Sequence, residues 1–159
     1  VSAVPNHQTQ RVTPLATRAQ VAYFGDFGYE LDLTKLPKEE LESIRHQVNF
    51  YKRHRALFQF GRFSRLLSPF QDKLTAWMVV SPEQDQAIVL LAQTLTQASM
   101  PLQVLKLQDL CPERRYQVKS EEQEFVATGA ELMQVGFYVF PQLVGDYASR
   151  LYHVKALVD

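Results

Sequence analysis

The sequence predicts an α/β segment, too short to close on itself, followed by an all-β antiparallel sandwich. The first sixty residues read strand–helix–strand–helix, the order that builds a parallel α/β sheet. The hydrophobic period then changes abruptly at Gly61, from helical spacing to short strand-like runs. Beyond that point Ser68-Pro69, Ser81-Pro82, Met100-Pro101, Cys111-Pro112 and Gly145-Asp146 separate those runs, and such punctuation marks an antiparallel sandwich. The predicted parts are therefore residues 1–60 and 61–159. Two strands and two helices cannot cover both faces of a sheet, so the first part reads as incomplete.

Val1 to Val4 is short, apolar and β-compatible, and Pro5-Asn6 ends it as a turn. Thr13-Pro14 opens a helix, with Thr13 as N-cap and Pro14 at the first helical position, where its missing N–H costs nothing. Leu15, Ala19, Ala22 and Tyr23 share its apolar face, and Gly25 is its stop signal. Gly28 to Leu33 reads as a second strand. A long helix follows over about 37–58, with Leu41, Ile44, Val48 and Tyr51 in one stripe. Its early Glu39, Glu40 and Glu42 and its later Arg45, Lys52, Arg53 and Arg55 complement the helix dipole.

Strands are expected at Phe63–Leu67, Thr75–Val80, Ala87–Leu95, Gln103–Leu107, Arg115–Val118, Glu124–Val126, Gly136–Phe140 and Ser149–Leu157. Gln86 to Gln97 also suits a helix on apolar content. Ile88 and Val89 are β-branched and the neighbourhood is strand-like, which favours a strand.

Composition limits the function classes. Hydrophobic residues are 46% of the 159, enough for a packed core. Lys+Arg and Asp+Glu are 17 each, so no overall positive field exists to hold nucleic acid or an anionic membrane. No apolar run approaches the roughly 20 residues of a membrane helix. Cys111 is the single cysteine, which fits a reducing, cytoplasmic compartment. The chain begins without Met and without a signal segment, in what reads as the middle of a strand, and is expected to be a piece of a longer protein.

Local chemistry shows no catalytic centre. His7, His46, His54 and His153 lack metal-ligand spacing, and no cofactor motif is present. Gly25-Asp-Phe-Gly28 is too short for a phosphate loop, and Asp26-Phe27-Gly28 copies a kinase tripeptide without its partners. Cys111, in a turn with no nearby His, reads as a structural thiol. The basic run Lys52-Arg53-His54-Arg55 reads as a solvated helix face rather than a nucleic-acid patch. Tyr23, Phe24, Phe27 and Tyr29 suit core packing better than stacking on a sugar or base. Asp26, Glu30 and Asp32 lie near the second strand, but sequence spacing does not bring any two together across a bond.

Three stretches carry a resemblance. Val1-Ser-Ala-Val-Pro-Asn-His-Gln8, with Arg11-Val-Thr-Pro-Leu15 and Thr17-Arg18, resembles a late-barrel motif of bacterial α-galactosidases in glycoside hydrolase family 36. Phe24-Gly25 and Phe27-Gly-Tyr-Glu-Leu-Asp-Leu33 are similar to the next barrel strand. Phe60-Gly61, Arg65-Leu-Leu-Ser-Pro69 and Ala76-Trp-Met-Val-Val80 resemble the passage into the C-terminal sandwich. Weaker similarities continue through Leu105-Lys-Leu107, Arg115-Tyr116, Glu131-Leu-Met133, Gly145-Asp146 and Ser149-Arg-Leu-Tyr152. The chain departs from the pattern at Gln10 and Asp109, where Gly is expected, and at Pro37, where a capping Ser is common.

The resemblance implies the last two β/α units of a TIM-type barrel plus a C-terminal β-sandwich. It implies a retaining enzyme for melibiose- or raffinose-type α-galactosides, with two catalytic aspartates upstream of Val1 and no metal or cofactor. It further implies an α-galactoside as partner through the missing barrel half, no nucleic acid or membrane, and a possible homo-oligomer of the full-length enzyme. Ligands of such barrels sit at the C-terminal ends of the strands. Asn6, His7 and Asp32 are therefore candidates for the barrel mouth, with structural turn roles as the stronger reading. A second function class stays open: an independent sandwich that binds carbohydrate or protein, marked by clustered exposed aromatics.

Overall fold

A computed structural model describes residues 1–71 and 73–157. The chain forms two compact units, Val1–Gln59 and Phe60–Asp159.

In the first unit, helix α1 spans Leu15–Ala22 and helix α2 spans Lys38–Phe60, the latter ending one residue into the second unit. The two expected strands do not form as regular elements. Their segments meet in one parallel bridge, Ser2 with Glu30, supported by Glu30 N–H donating to Val1 O at 2.9 Å. After it, a 3₁₀ turn at Leu33–Lys35 curls the chain out of extended geometry. The predicted cap also differs. Pro14 is the N-cap, with no side-chain bond, and Thr13 instead offers its carbonyl to Arg18 Nε at 2.9 Å. The same guanidinium bonds Ser2 O, so Arg18 staples the start of the chain to α1. Gly25 is not a left-handed stop; α1 ends at Ala22 and tightens through Phe24 N–H to Val21 O and Gly25 N–H to Ala22 O.

Tyr23 and Ala19 are buried as the α1 spacing predicts, and Thr17 joins them. On α2, Ile44 and Leu57 are buried while Leu41, Val48 and Tyr51 are half-buried. The helix runs two residues past the predicted end. The basic run at 52–55 therefore lies before the last turn, which holds no basic residue and is where the dipole acts most strongly. Tyr23, Phe27, Phe50, Tyr51 and Phe58 form one aromatic core, with ring centroids between 4.7 Å (Phe27–Tyr51) and 6.3 Å (Phe50–Phe58).

The second unit is an antiparallel sheet of six strands in the order β1-β2-β3-β8-β5-β6. Their spans are β1 Arg62–Leu67, β2 Leu74–Val80, β3 Gln86–Gln93, β5 Arg115–Lys119, β6 Glu124–Thr128 and β8 Ser149–Ala156. A two-stranded ribbon, β4 Val104–Leu105 with β7 Phe137–Tyr138, forms a second small sheet. Alternation chooses the core: Ala76, Met78 and Val80 on β2, Ala87, Val89 and Leu91 on β3, and Tyr152 and Val154 on β8 share one face. Leu105, Leu107, Leu110, Leu132, Phe137 and Val139 pack on it. Val79, Ile88 and Leu90, on the opposite face, are buried too, which accounts for the near-continuous apolar runs of β2 and β3. On that same face Phe63 of β1 meets Trp77 edge-on at 6.2 Å, and Arg65 lies over the Phe63 ring.

Residues 86–93 are a strand, as the β-branched pair predicts. Helix α3, Gly129–Gln134, is not predicted at all. It is set by a capping box: Thr128 Oγ1 accepts from Glu131 N–H at 3.2 Å and Glu131 Oε2 accepts from Thr128 N–H at 2.7 Å. Two glycines bracket α3 by necessity. A Cβ on Gly129 would stand 2.1 Å from Cys111 O; one on Gly136, at φ +80°, would stand 2.5 Å from Leu105 O.

Candidate functional site

The Ser2–Glu30 bridge is parallel, so both segments leave it in the same direction. Asn6 and His7 follow the first segment and Asp32 follows the second.

Each is built into a local turn. Asn6 Oδ1 accepts from Gln8 N–H (3.1 Å), Thr9 N–H (3.0 Å) and Thr9 Oγ1 (3.1 Å). Its backbone closes the same loop, with Asn6 N–H donating to Arg11 O and Gln10 N–H to Asn6 O. Gln10 closes it at φ +58°, in the left-handed region. His7 is exposed on this loop, and its carbonyl accepts from Gln10 Nε2. Asp32 caps the 3₁₀ turn: Oδ1 accepts from Thr34 N–H (3.0 Å) and Thr34 Oγ1 (2.6 Å), and Oδ2 pairs with Lys35 Nζ at 3.3 Å.

The Thr34 hydroxyl and amide, then Lys35, hold the Asp32 carboxyl below the usual carboxylate range. It is ionised at neutral pH and is poorly suited to give a proton to a leaving group. Asp26 and Glu30 are exposed. The Tyr29 hydroxyl donates to Gln47 Oε1 at 2.6 Å, and burial pushes its pKa up to about 12. Tyr23, Phe24 and Phe27 pack on the rings of α2 or on one another, the core role expected of them. Lys52, Arg53 and Arg55 are exposed, while the His54 ring rests on Phe50 at 4.7 Å. Cys111 Sγ contacts Glu113 Oε2 at 3.5 Å.

Among the described residues, no group of three or more His, Cys, Asp or Glu could hold a metal ion. No helix among them is long and apolar enough to cross a membrane. Arg18 belongs to the Thr17-Arg18 part of the first motif, but its contact with Ser2 O is not legible there. Its role rests on a contact sixteen residues away, for which a lone Arg in a helix gives no signal.

Comparison with known proteins bears on both units. Residues 74–154 match the profile described as glycosyl hydrolase family 36 C-terminal domain, and residues 1–61 match melibiase. The chain is 45% identical over 157 residues to α-galactosidase AgaA of Geobacillus stearothermophilus, covering 99% of itself and 21% of that protein. It is 44% identical to α-galactosidase 1 of Pediococcus pentosaceus, covering 100% of itself and 21% of the relative. Among solved structures, a variant of AgaA crystallised with raffinose superposes with TM-score 0.92 at 44% identity, over 99% of this chain and 21% of that one. The α-galactosidase of Lactobacillus brevis gives 0.93 at 42%, over 100% and 22%. The chain thus spans about a fifth of the length of the relatives it matches.

Proposed function

The chain belongs to glycosyl hydrolase family 36, and from that premise we propose that it is the C-terminal part of a retaining α-galactosidase, inactive without the upstream part. In this reading, residues 1–60 are the seventh and eighth β/α units of a TIM-type barrel and 61–159 a β-sandwich-type C-terminal domain. The substrate is a terminal α-galactoside of the melibiose or raffinose type, and the relative crystallised with raffinose supports that class.

One observation carries the reading. The whole chain aligns with only a fifth of each α-galactosidase, while Asp26, Glu30 and Asp32 lie exposed and Asp32 is committed to its own turn. Retaining hydrolysis needs a carboxylic acid to protonate the leaving oxygen and a carboxylate about 5 Å from it to attack the anomeric carbon. A carboxyl kept ionised by Thr34 and Lys35 does not meet the first requirement. Asn6, His7 and Asp32 are then rim residues, whose turns hold the loops that edge the pocket. Ligands of such barrels bind at the strands' C-terminal ends, and the shared direction of the two segments supports this placement.

A second reading has its own support. Tyr138, on the ribbon, is 59% exposed and Phe140, just beyond it, 66%, with Val104 and Leu102 exposed as well, and exposed aromatics are what a carbohydrate- or protein-binding module would show.

The purified chain, assayed with an aryl α-galactoside, is expected to match buffer; adding the upstream part as a complementing fragment is expected to restore turnover. Hydrolysis by the chain alone that Asp32→Ala abolishes would sink the reading.

A further inference from the structure

Residues 106–114, between β4 and β5, run along one end of the six-stranded sheet and bond to elements at both of its edges. Toward β6 and α3, Gly129 N–H donates to Arg114 O and Ala130 N–H to Pro112 O. In the middle, the Tyr116 hydroxyl accepts from Cys111 N–H at 3.0 Å and donates to Gln84 O at 2.7 Å, while Arg114 Nη1 donates to Glu83 O. At the opposite edge the segment reaches β1 through Asp109. Ser64 Oγ donates to Asp109 Oδ2 at 2.8 Å, and Arg62 Nη1 to Oδ1 at 3.0 Å. Gln84 Nε2 secures the Asp109 carbonyl at 2.9 Å.

Asp109 adopts φ +59°, a conformation that few residues with a Cβ accept and that Asp tolerates better than most. The unusual backbone thus coincides with a carboxylate that uses both oxygens on one neighbouring strand. That strand is one of the two edges of the sheet. β1 is an edge strand with β2 as its partner, and its register shifts between Arg65 and Leu67.

We propose that Asp109 is a latch: it fastens the 106–114 strap to edge strand β1, and when it is released β1 peels from the sheet as a unit while β2, β3 and β8 remain paired. Local opening of this kind is a general property of weakly bonded elements. Here the structure assigns it to one side chain.

Hydrogen exchange read by mass spectrometry tests this. Asp109→Gly removes the carboxylate yet supplies the residue best suited to φ +59°, so a loss of protection is not backbone strain. Ser64→Ala leaves residue 109 untouched, and decides the matter if the glycine variant fails to fold. Amides of residues 62–67 are expected to exchange about tenfold faster or more in Asp109→Gly, in line with the loss of charge-assisted bonds. A smaller acceleration is expected in Ser64→Ala, with residues 86–93 and 149–156 changed less than about twofold. Unchanged exchange in 62–67, or equal acceleration in all strands, overturns the proposal. Neither result touches the α-galactosidase reading.

Discussion

Arg150 Nε lies 2.9 Å from Glu122 Oε2, an ion pair whose cation is 7% exposed and whose carboxylate is 44% exposed. The arginine is committed further: Nη1 donates to Pro141 O at 2.7 Å and lies 3.4 Å from the Tyr152 hydroxyl. Nε approaches Glu122 without a well-aligned N–H bond, so the pair acts through charge and proximity. Removing either side therefore has unequal effects. Arg150→Ala is expected to lower stability by about 3 kcal/mol, through lost packing and an unsatisfied Pro141 carbonyl. Glu122→Ala is expected to cost about 1 kcal/mol, because water reaches the carboxylate side. Urea midpoints of the two variants check the ranking, and equal losses would contradict it.

The glycines around α3 supply a steric test. Gly129→Ala drives a Cβ to 2.1 Å from Cys111 O, and Gly136→Ala combines φ +80° with 2.5 Å to Leu105 O. Each is expected to cost about 3 kcal/mol or more, because the obstacle is backbone. Gly25→Ala, with nothing within 4 Å, is the control and is expected to change the melting midpoint little.

The α2 stripe predicts a graded response to charge. Ile44→Asp puts an unpaired carboxylate at a buried position and is expected to cost about 3 kcal/mol or more. Val48→Asp, at a half-buried position one turn on, is expected to cost less. A melting midpoint unmoved by Ile44→Asp would show that another face of α2 is packed.

Two limbs of the pH–stability curve follow from named groups. Bonds from Thr128 hold the Glu131 carboxyl below its ordinary value. A depressed carboxyl stabilises above its unfolded pKa, and that contribution is lost as pH falls through the folded value. Glu131→Gln is expected to flatten the acid limb. On the alkaline side, Tyr29 is raised to about 12 from 10.0 by burial. The folded state keeps a proton that the unfolded state releases, so stability declines as pH rises from about 10 through about 12. Tyr29→Phe is expected to reduce that decline. Urea midpoints measured across pH give both slopes.

Much of the second unit is legible because burial on both faces leaves long apolar runs, as in Leu74–Val80 and Gln86–Gln93. Helix α3 is not legible by period, since six residues make fewer than two turns; Thr128 and Glu131 at capping-box spacing were the available signal. Val1–Val4 and Gly28–Leu33 have strand composition but form a single bridge, because composition does not supply neighbours. At Gln10 and Asp109, the two places where the family resemblance leads one to expect Gly, the backbone is left-handed. The departures keep the turn and change only what fills it. Asn6 and Asp32 became candidates through their place after the two strand segments in the barrel that the resemblance implies; both close turns through their own oxygens, which gives them a structural role and leaves catalysis unassigned.

Trp77, the single tryptophan of the chain, stands on β2 beside Phe63, so its emission reports from within the unit Phe60–Asp159. Helical circular dichroism arises chiefly from the other unit, through the 8 residues of α1 and the 23 of α2, against 6 in α3. The two signals, recorded on one sample during heating, distinguish concerted melting from melting in two steps. The chain thus carries its own pair of reporters, with no label to attach.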